Sequence, residues 1–164
     1  MLKHNPDKQR TEIFLNGRMV EDLIRSMEVS AHVSYIAAIS SVRREMVEYQ
    51  RTLGREKGVV MDGRDIGTVV FPNAEIKIFL TASLEVRAGR RFRELIEKGM
   101  AAEFEDVLGN LEKRDQIDSN RADSPLKMAD NAILLDNSEM TLDEQMVWFR
   151  DLYQKVISTR DEKD

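Results

Sequence analysis

Three short apolar runs, Gly58-Val59-Val60-Met61-Asp62, Ile76-Lys77-Ile78-Phe79-Leu80 and Ala132-Ile133-Leu134-Leu135-Asp136, alternate with stretches of helical periodicity. Runs of this length between turn residues read as strands buried in a parallel sheet, because both faces of such a sheet are covered by helices. Ser83 is placed to cap a helix from about 84 to 98, with Gly99 as its stop. A second helix is expected over 104–117, and Thr141-Leu142-Asp143-Glu144 has the form of a capping box that opens a last helix to about 157. From residue 58 onward the chain therefore predicts an α/β layered domain with a mostly parallel sheet.

The first fifty or so residues are of another kind. Thr11-Glu12-Ile13-Phe14-Leu15, Asn16-Gly17 and Arg18-Met19-Val20 form a strand, tight turn and strand, since both turn positions favour positive φ. The period then becomes helical from about Val29 to Thr52, with Val29, Val33, Ile36 and Ala37 on one face and Val42, Met46 and Tyr49 on the next. Ser40-Ser41 is a candidate break and Gly54 a stop. The last residues, 159–164, read as a solvated tail.

At 164 residues the chain has the length of one domain, and its apolar content suffices for a core. A net charge of −5 argues against a general nucleic-acid or membrane-surface binder, which would need net positive charge. The absence of cysteine removes disulfides, thiolate metal sites and thiol catalysis, and fits a reducing cytoplasm. No apolar run approaches the roughly 20 residues of a membrane helix. No fixed-period repeat occurs, and His4 and His32 do not read as a catalytic pair.

Three constellations carry chemistry. Gly63-Arg64-Asp65-Ile66-Gly67-Thr68 follows the first apolar run, so an arginine and a carboxylate stand on a glycine-relieved turn at a strand end, a common way to face a small anionic ligand. Arg87, Arg90, Arg91 and Arg93 fall within seven residues that hold no acid, and the first three share a helix face. A polyphosphate suits their planar forks; a solvated face paired to Glu85, Glu94 and Glu97 suits them equally. Arg114, Asp118 and Arg121 stand at spacings of four and three, compatible with holding a phosphate and a ribose or with an ordinary helical ion pair. Asp62, at the end of its run, is placed like the carboxylate that holds magnesium-bound water in phosphate-loop enzymes.

Taken together and in this order, these segments closely resemble the bacterial cytidylate kinases, over roughly Ile13 to Ile157, with Gly63-Arg64-Asp65-Ile66-Gly67-Thr68-Val69-Val70-Phe71-Pro72 as the specific signature. The resemblance implies a nucleoside monophosphate kinase fold and transfer of the γ-phosphoryl of ATP to CMP or dCMP with Mg2+, giving CDP or dCDP and ADP. It implies that Ser34, Arg43 and Asp65 face the cytosine, and that Arg64, Arg114, Asp118 and Arg121 hold the ribose and phosphate. Among these, Arg64, Arg114 and Arg121 are the expected catalytic cations. Arg87, Arg90 and Arg91 would lie on a lid over the ATP phosphates, and Asp62 would reach the metal through water. By the same comparison, 1–55 is the remaining part of a monophosphate-binding insertion, 56–158 a partial kinase core with a lid at about 84–122, and 159–164 a tail.

One departure qualifies these expectations. The family opens with a strand and a Gly-rich phosphate loop, and Gly-x-x-x-x-Gly-Lys-Ser/Thr occurs nowhere here, the eight glycines standing at 17, 54, 58, 63, 67, 89, 99 and 109. The expectation is thus a cytidylate kinase without that segment and inactive by itself; a non-catalytic CMP-binding or partner-binding module is the alternative. The strand of that segment would lie between the first two apolar runs. Hence 76–80 and 132–136 are expected to pair in parallel, while 58–62 stands apart across a gap or is bridged by another copy of the chain.

Overall fold

The structure is a computed structural model that describes residues 2–6 and 10–161. Its first unit is a three-stranded antiparallel sheet of β1 (Leu2–Asn5), β2 (Arg10–Leu15) and β3 (Arg18–Met19), in that order. The tight turn expected at Asn16-Gly17 is present, with φ of 50° and 82°, the left-handed pair that a two-residue hairpin needs. Strand β1, which pairs Leu2 with Ile13 and Asn5 with Arg10, has no apolar run to announce it.

Helices α1 (Met27–Ala37) and α2 (Ser40–Leu53) follow, divided just before Ser40 as the sequence suggests. Ser26 caps α1 through a bond from the Val29 amide. The burial of α1 inverts its apolar pattern: Ser30 and Ser34 are buried, whereas Val29, Val33 and Ile36 are exposed. The polar face of α1 packs on α4, and the valines meet no covering element among the described residues.

The run 58–62 is not the buried strand its composition suggests, but it does stand apart from the β4–β5 sheet, one of the two outcomes expected of it. It is extended, unpaired and largely exposed, with Val60 95% accessible, and it enters through Lys57 and Gly58, both at positive φ. A strand exists only where a neighbour takes its backbone hydrogen bonds, and none among the described residues does so. The signature segment then forms a single π-helical turn over Ile66–Val70. Arg51 of α2 clasps this turn by donating to the carbonyls of Val69 at 2.8 Å and Val70 at 3.4 Å.

Strands β4 (Ile78–Thr81) and β5 (Ile133–Asp136) pair in parallel, Ile78 with Ile133 and Thr81 with Asp136, as anticipated and within two residues of the expected bounds. They are not buried on both faces, since Leu80 and Leu134 are more than half exposed. Between them lie α3 (Leu84–Glu97), capped by Ser83 and followed by Gly99 at φ 70°, and α4 (Phe104–Asn120). Helix α4 runs one turn fraction beyond the expected 117 and so includes Asp118. The capping box forms, with the Thr141 amide donating to Glu144 Oε2 at 2.8 Å, and α5 (Leu142–Asp161) extends past the expected end into the supposed tail; 162–164 lie outside the described residues.

The buried core is helical. Ala88 and Leu95 of α3 meet Val107 of α4, surrounded by Met27, Phe92, Met100, Phe104, Leu108 and Leu111, with Phe92 edge-on to Phe104 at 6.1 Å. Leu95→Ala is expected to lower the unfolding free energy by about 2–5 kcal/mol, the usual cost of a cavity at a filled site. Val60→Ala should leave it within about 0.5 kcal/mol. Urea melts followed by circular dichroism compare the two, and a loss at residue 60 to match that at 95 would show the 58–62 segment packed in solution.

Candidate functional site: an arginine and carboxylate cluster between four elements

Residues far apart in sequence meet where the signature turn, α1, α2 and the end of α4 converge. Arg64 Nε donates to Asp118 Oδ2 at 3.0 Å, and Arg121 Nη1 lies 3.5 Å from Asp118 Oδ1. On the neighbouring side Arg43 Nη2 of α2 approaches Asp65 Oδ1 at 3.5 Å. Asp65, Asp118 and Arg121 are all buried, at 2, 3 and 8% exposure. Burying a carboxylate is costly unless a cation accompanies it, so these pairs explain how both acids are tolerated.

Local sequence sets each of these positions. Gly63 lets the chain turn tightly before Arg64, since a Cβ there would stand 2.9 Å from Ile66 Cγ1. On α2, Arg43, Val47 and Arg51 recur every four residues, so one face delivers a guanidinium to Asp65, an apolar contact, and a second guanidinium to the π-turn. After α4, Ser124 at φ 51° folds the chain back so that its carbonyl accepts from Arg121 Nε at 2.6 Å.

Arg114, one turn before Asp118 on α4, points toward α1. Its Nη1 donates to Ser30 Oγ at 3.0 Å, and Ser30 Oγ in turn donates to Asn110 Oδ1 at 2.8 Å. Burial depresses the Arg114 pKa, and the nearby Arg64 adds to the effect, against Asp118 and Asp115. Arg121 is depressed likewise, first by burial and then by Arg43. Four arginines (43, 64, 114 and 121) thus crowd two carboxylates (65 and 118), leaving two positive charges in excess.

The cluster also holds unused hydrogen-bonding capacity. Arg43 Nε, Arg114 Nε, Arg121 Nη2 and Asp65 Oδ2 are buried and have no polar partner among the described residues. Buried polar atoms are nearly always satisfied in a folded protein, so such a concentration is a place where ordered water or a ligand would complete the pairing. Arg114 Nε and Arg121 Nη2 suit an anionic group, and Arg43 Nε with Asp65 Oδ2 suits a neighbouring acceptor and donor.

The remaining expected residues are placed differently. Ser34 is buried on α1, one turn beyond Ser30, with no hydrogen bond from its side chain to Arg43 or Asp65. Arg87, Arg90 and Arg91 lie on α3 at the expected spacing, and their side chains take separate partners within the protein. Arg87 pairs with Asp115 at 2.6 Å, Arg90 binds Asn137 Oδ1 at 2.9 Å and its carbonyl at 2.7 Å, and Arg91 divides between Glu94 and the Arg25 carbonyl. Asp62 is exposed at the end of the unpaired segment. Ser30 and Asn110 were not anticipated; the available signal was that each stands four residues before a candidate, Ser34 and Arg114.

A family profile described as cytidylate kinase matches residues 1–154. A cytidylate kinase of Phocaeicola vulgatus is 56% identical over 154 residues, covering 94% of this chain and 67% of that relative. The cytidylate kinases of Parabacteroides distasonis and Flavobacterium johnsoniae are 54% and 53% identical over 155 residues, covering 94% of this chain and 68% and 67% of theirs. The chain spans about two thirds of the length of these curated relatives.

Removing Asp118 would leave Arg121 buried beside like charges. Asp118→Ala is therefore expected to cost about 3 kcal/mol of stability, in the range for a broken buried pair. Urea denaturation measures it, and a loss under about 1 kcal/mol would show that the pair is solvated.

Proposed function

This chain belongs to the cytidylate kinase family, and from that premise we propose that its arginine and carboxylate cluster holds CMP or dCMP for phosphoryl transfer from ATP, which yields CDP or dCDP and ADP. The observation that carries the reading is the set of orphaned groups, Arg114 Nε and Arg121 Nη2 in the part around Asp118, and Arg43 Nε with Asp65 Oδ2 in the neighbouring pair. A nucleoside monophosphate supplies oxyanions for the first and, in cytosine, an amino donor for the second.

Arg43 and Asp65, already paired, are proposed to present a donor and an acceptor side by side to the cytosine edge, with Ser34, buried on α1, as the third base-facing residue. Uracil reverses the polarity at two positions of that edge and would leave Asp65 Oδ2 facing a carbonyl. Arg64, Arg114 and Arg121 surround the phosphate and neutralise it, while Asp118 fixes the first and last of them and accepts from the ribose. Phosphoryl transfer asks for charge neutralisation and in-line placement more than for covalent help, and a cluster with two excess positive charges offers the first of these.

Residues 1–55 are proposed as the monophosphate-binding insertion and 84–122 as the lid, with Arg87, Arg90 and Arg91 released from their present partners to meet ATP phosphates. Magnesium is proposed to arrive with ATP and to be met through water by Asp62, since this ion needs only one or two carboxylates beside the nucleotide phosphates. Among the described residues no group of three His, Cys, Asp or Glu comes together to hold a metal, and Asp62 is a single exposed carboxylate. No described helix is long and apolar enough to cross a membrane. The bare edge of β4 is proposed to promote self-association, which light scattering over a concentration series would detect.

Isothermal titration with CMP, cytidine and UMP tests the site. CMP should bind most tightly, and Asp65→Ala should abolish the preference for CMP over UMP; equal binding of both by the unaltered chain would overturn the assignment. Because these 164 residues carry no Gly-rich phosphate loop, they are proposed to turn over slowly on their own. A coupled ADP-release assay returning the ordinary kinase range of roughly 1–100 per second would refute that.

A further inference from the structure

Ser30 stands at a junction that base and phosphate contacts do not account for. It is buried on α1, one turn from Ser34, and its hydroxyl is fully engaged: it donates to Asn110 Oδ1 at 2.8 Å and accepts from Arg114 Nη1 at 3.0 Å. Asn110 is itself one turn before Arg114 on α4, so a three-member chain of hydrogen bonds ties the two helices at a single point. Helix α1 carries the serine proposed to face the base, and α4 carries the arginine proposed to face the phosphate.

The geometry of guanidinium makes the choice of nitrogen informative. Nη1 lies on the same side as Cδ, whereas the Nε–H and one Nη2–H point the same way and form the fork that grips an oxyanion with two parallel bonds. Ser30 occupies Nη1 and leaves that fork clear, and Arg114 Nε is among the buried atoms with no partner. Arg64 gives its Nε to Asp118 and keeps its Nη groups for a ligand, whereas Arg114 is held by Nη1 and keeps its Nε. Left without that tether, a long cation crowded by Arg64 would swing toward solvent or toward Asp115, both of which relieve its burial and repulsion.

We propose that Ser30, oriented by Asn110, is a positioning residue that holds Arg114 by Nη1 so that its Nε/Nη2 fork faces the phosphate of a bound nucleoside monophosphate. This rests on the reading of the cluster given above. Its energetic effect falls on the phosphate and not on the base, since the Ser30 hydroxyl bonds Asn110 and Arg114 and neither the Arg43–Asp65 pair nor the Ser34 side chain.

The test compares CMP with cytidine, which shares the base and ribose but lacks the phosphate, by titration calorimetry on the full 164-residue chain. Unaltered protein should prefer CMP. Ser30→Ala should weaken CMP about tenfold, the effect of one hydrogen bond to a charged group, and leave cytidine within about twofold. Asn110→Ala should reproduce this from the other helix, and Ser30→Thr, which keeps the hydroxyl, should restore most of the preference. Should Ser30→Ala fail to fold, Asn110→Ala decides by the same ratio. An unchanged ratio of CMP to cytidine affinity in the variants overturns the positioning role while the monophosphate site stands, and so does a parallel loss of both ligands, which marks a merely structural part. No preference for CMP in the unaltered chain overturns the monophosphate reading and the positioning role with it.

Discussion

The carboxylate of Asp118 is the point on which the site is hung. It takes Arg64 from the signature turn on one oxygen and Arg121 from the end of α4 on the other, joining segments 54 residues apart in sequence. Arg121 is itself buried and depends on that charge, while Arg64, partly exposed, adds to the field that depresses both Arg114 and Arg121. The short extension of α4 past Ile117 is therefore more than a detail of helix length. It places the acid at the last turn of a helix whose other end is locked in the apolar core through Val107.

A cluster that satisfied itself would have been simpler to build. Two further acids among the four arginines would neutralise the charge and occupy the orphaned donors, and a stability argument alone would favour that arrangement. The sequence instead leaves two positive charges and four buried groups unused. Strain and incomplete pairing of this kind are characteristic of functional sites, where a ligand completes what the protein leaves open. The Arg43–Asp65 pair illustrates the compromise, for its 3.5 Å separation and free Oδ2 keep an acceptor in hand at some cost to the free protein.

Local rules proved readable where one or two residues decide the outcome: the Asn16-Gly17 turn, the Ser83 cap, the glycine after α3 and the Thr141–Glu144 box all form as their chemistry requires. The parallel pairing of β4 with β5 was likewise legible, since short apolar runs flanked by helices leave few alternatives. What failed depended on neighbours. The 58–62 run has the composition of a buried strand, but composition cannot supply a hydrogen-bonding partner, and without one the segment stays extended and exposed. Periodicity set Arg87, Arg90 and Arg91 at helical spacing on α3, but spacing does not say which acceptors long side chains reach, here Asp115, Asn137 and Glu94. Ser30 escaped notice for the converse reason: a serine in an apolar helix looks incidental until the opposite helix shows an asparagine and an arginine meeting it.

The site and the sheet are thus supported by different parts of the molecule. Helices α1, α3 and α4 form a packed body that carries Ser30, Ser34, Arg114 and Asp118, and its core residues Ala88, Leu95 and Val107 are almost wholly buried. The sheet β4–β5 keeps Leu80, Ile133 and Leu134 largely in solvent, and α5 leaves Val147 and Tyr153 about half exposed. Apolar area left in water contributes no burial energy, so the cohesion of the cluster rests on the helical body. The link between the two regions on the ligand side is the signature turn, held by Arg51 of α2 through two backbone carbonyls and by Arg64 through Asp118. Those polar clasps fix Arg64 and Asp65 relative to α4 without requiring the 58–62 segment to be paired, which is how the cluster remains assembled beside an open sheet.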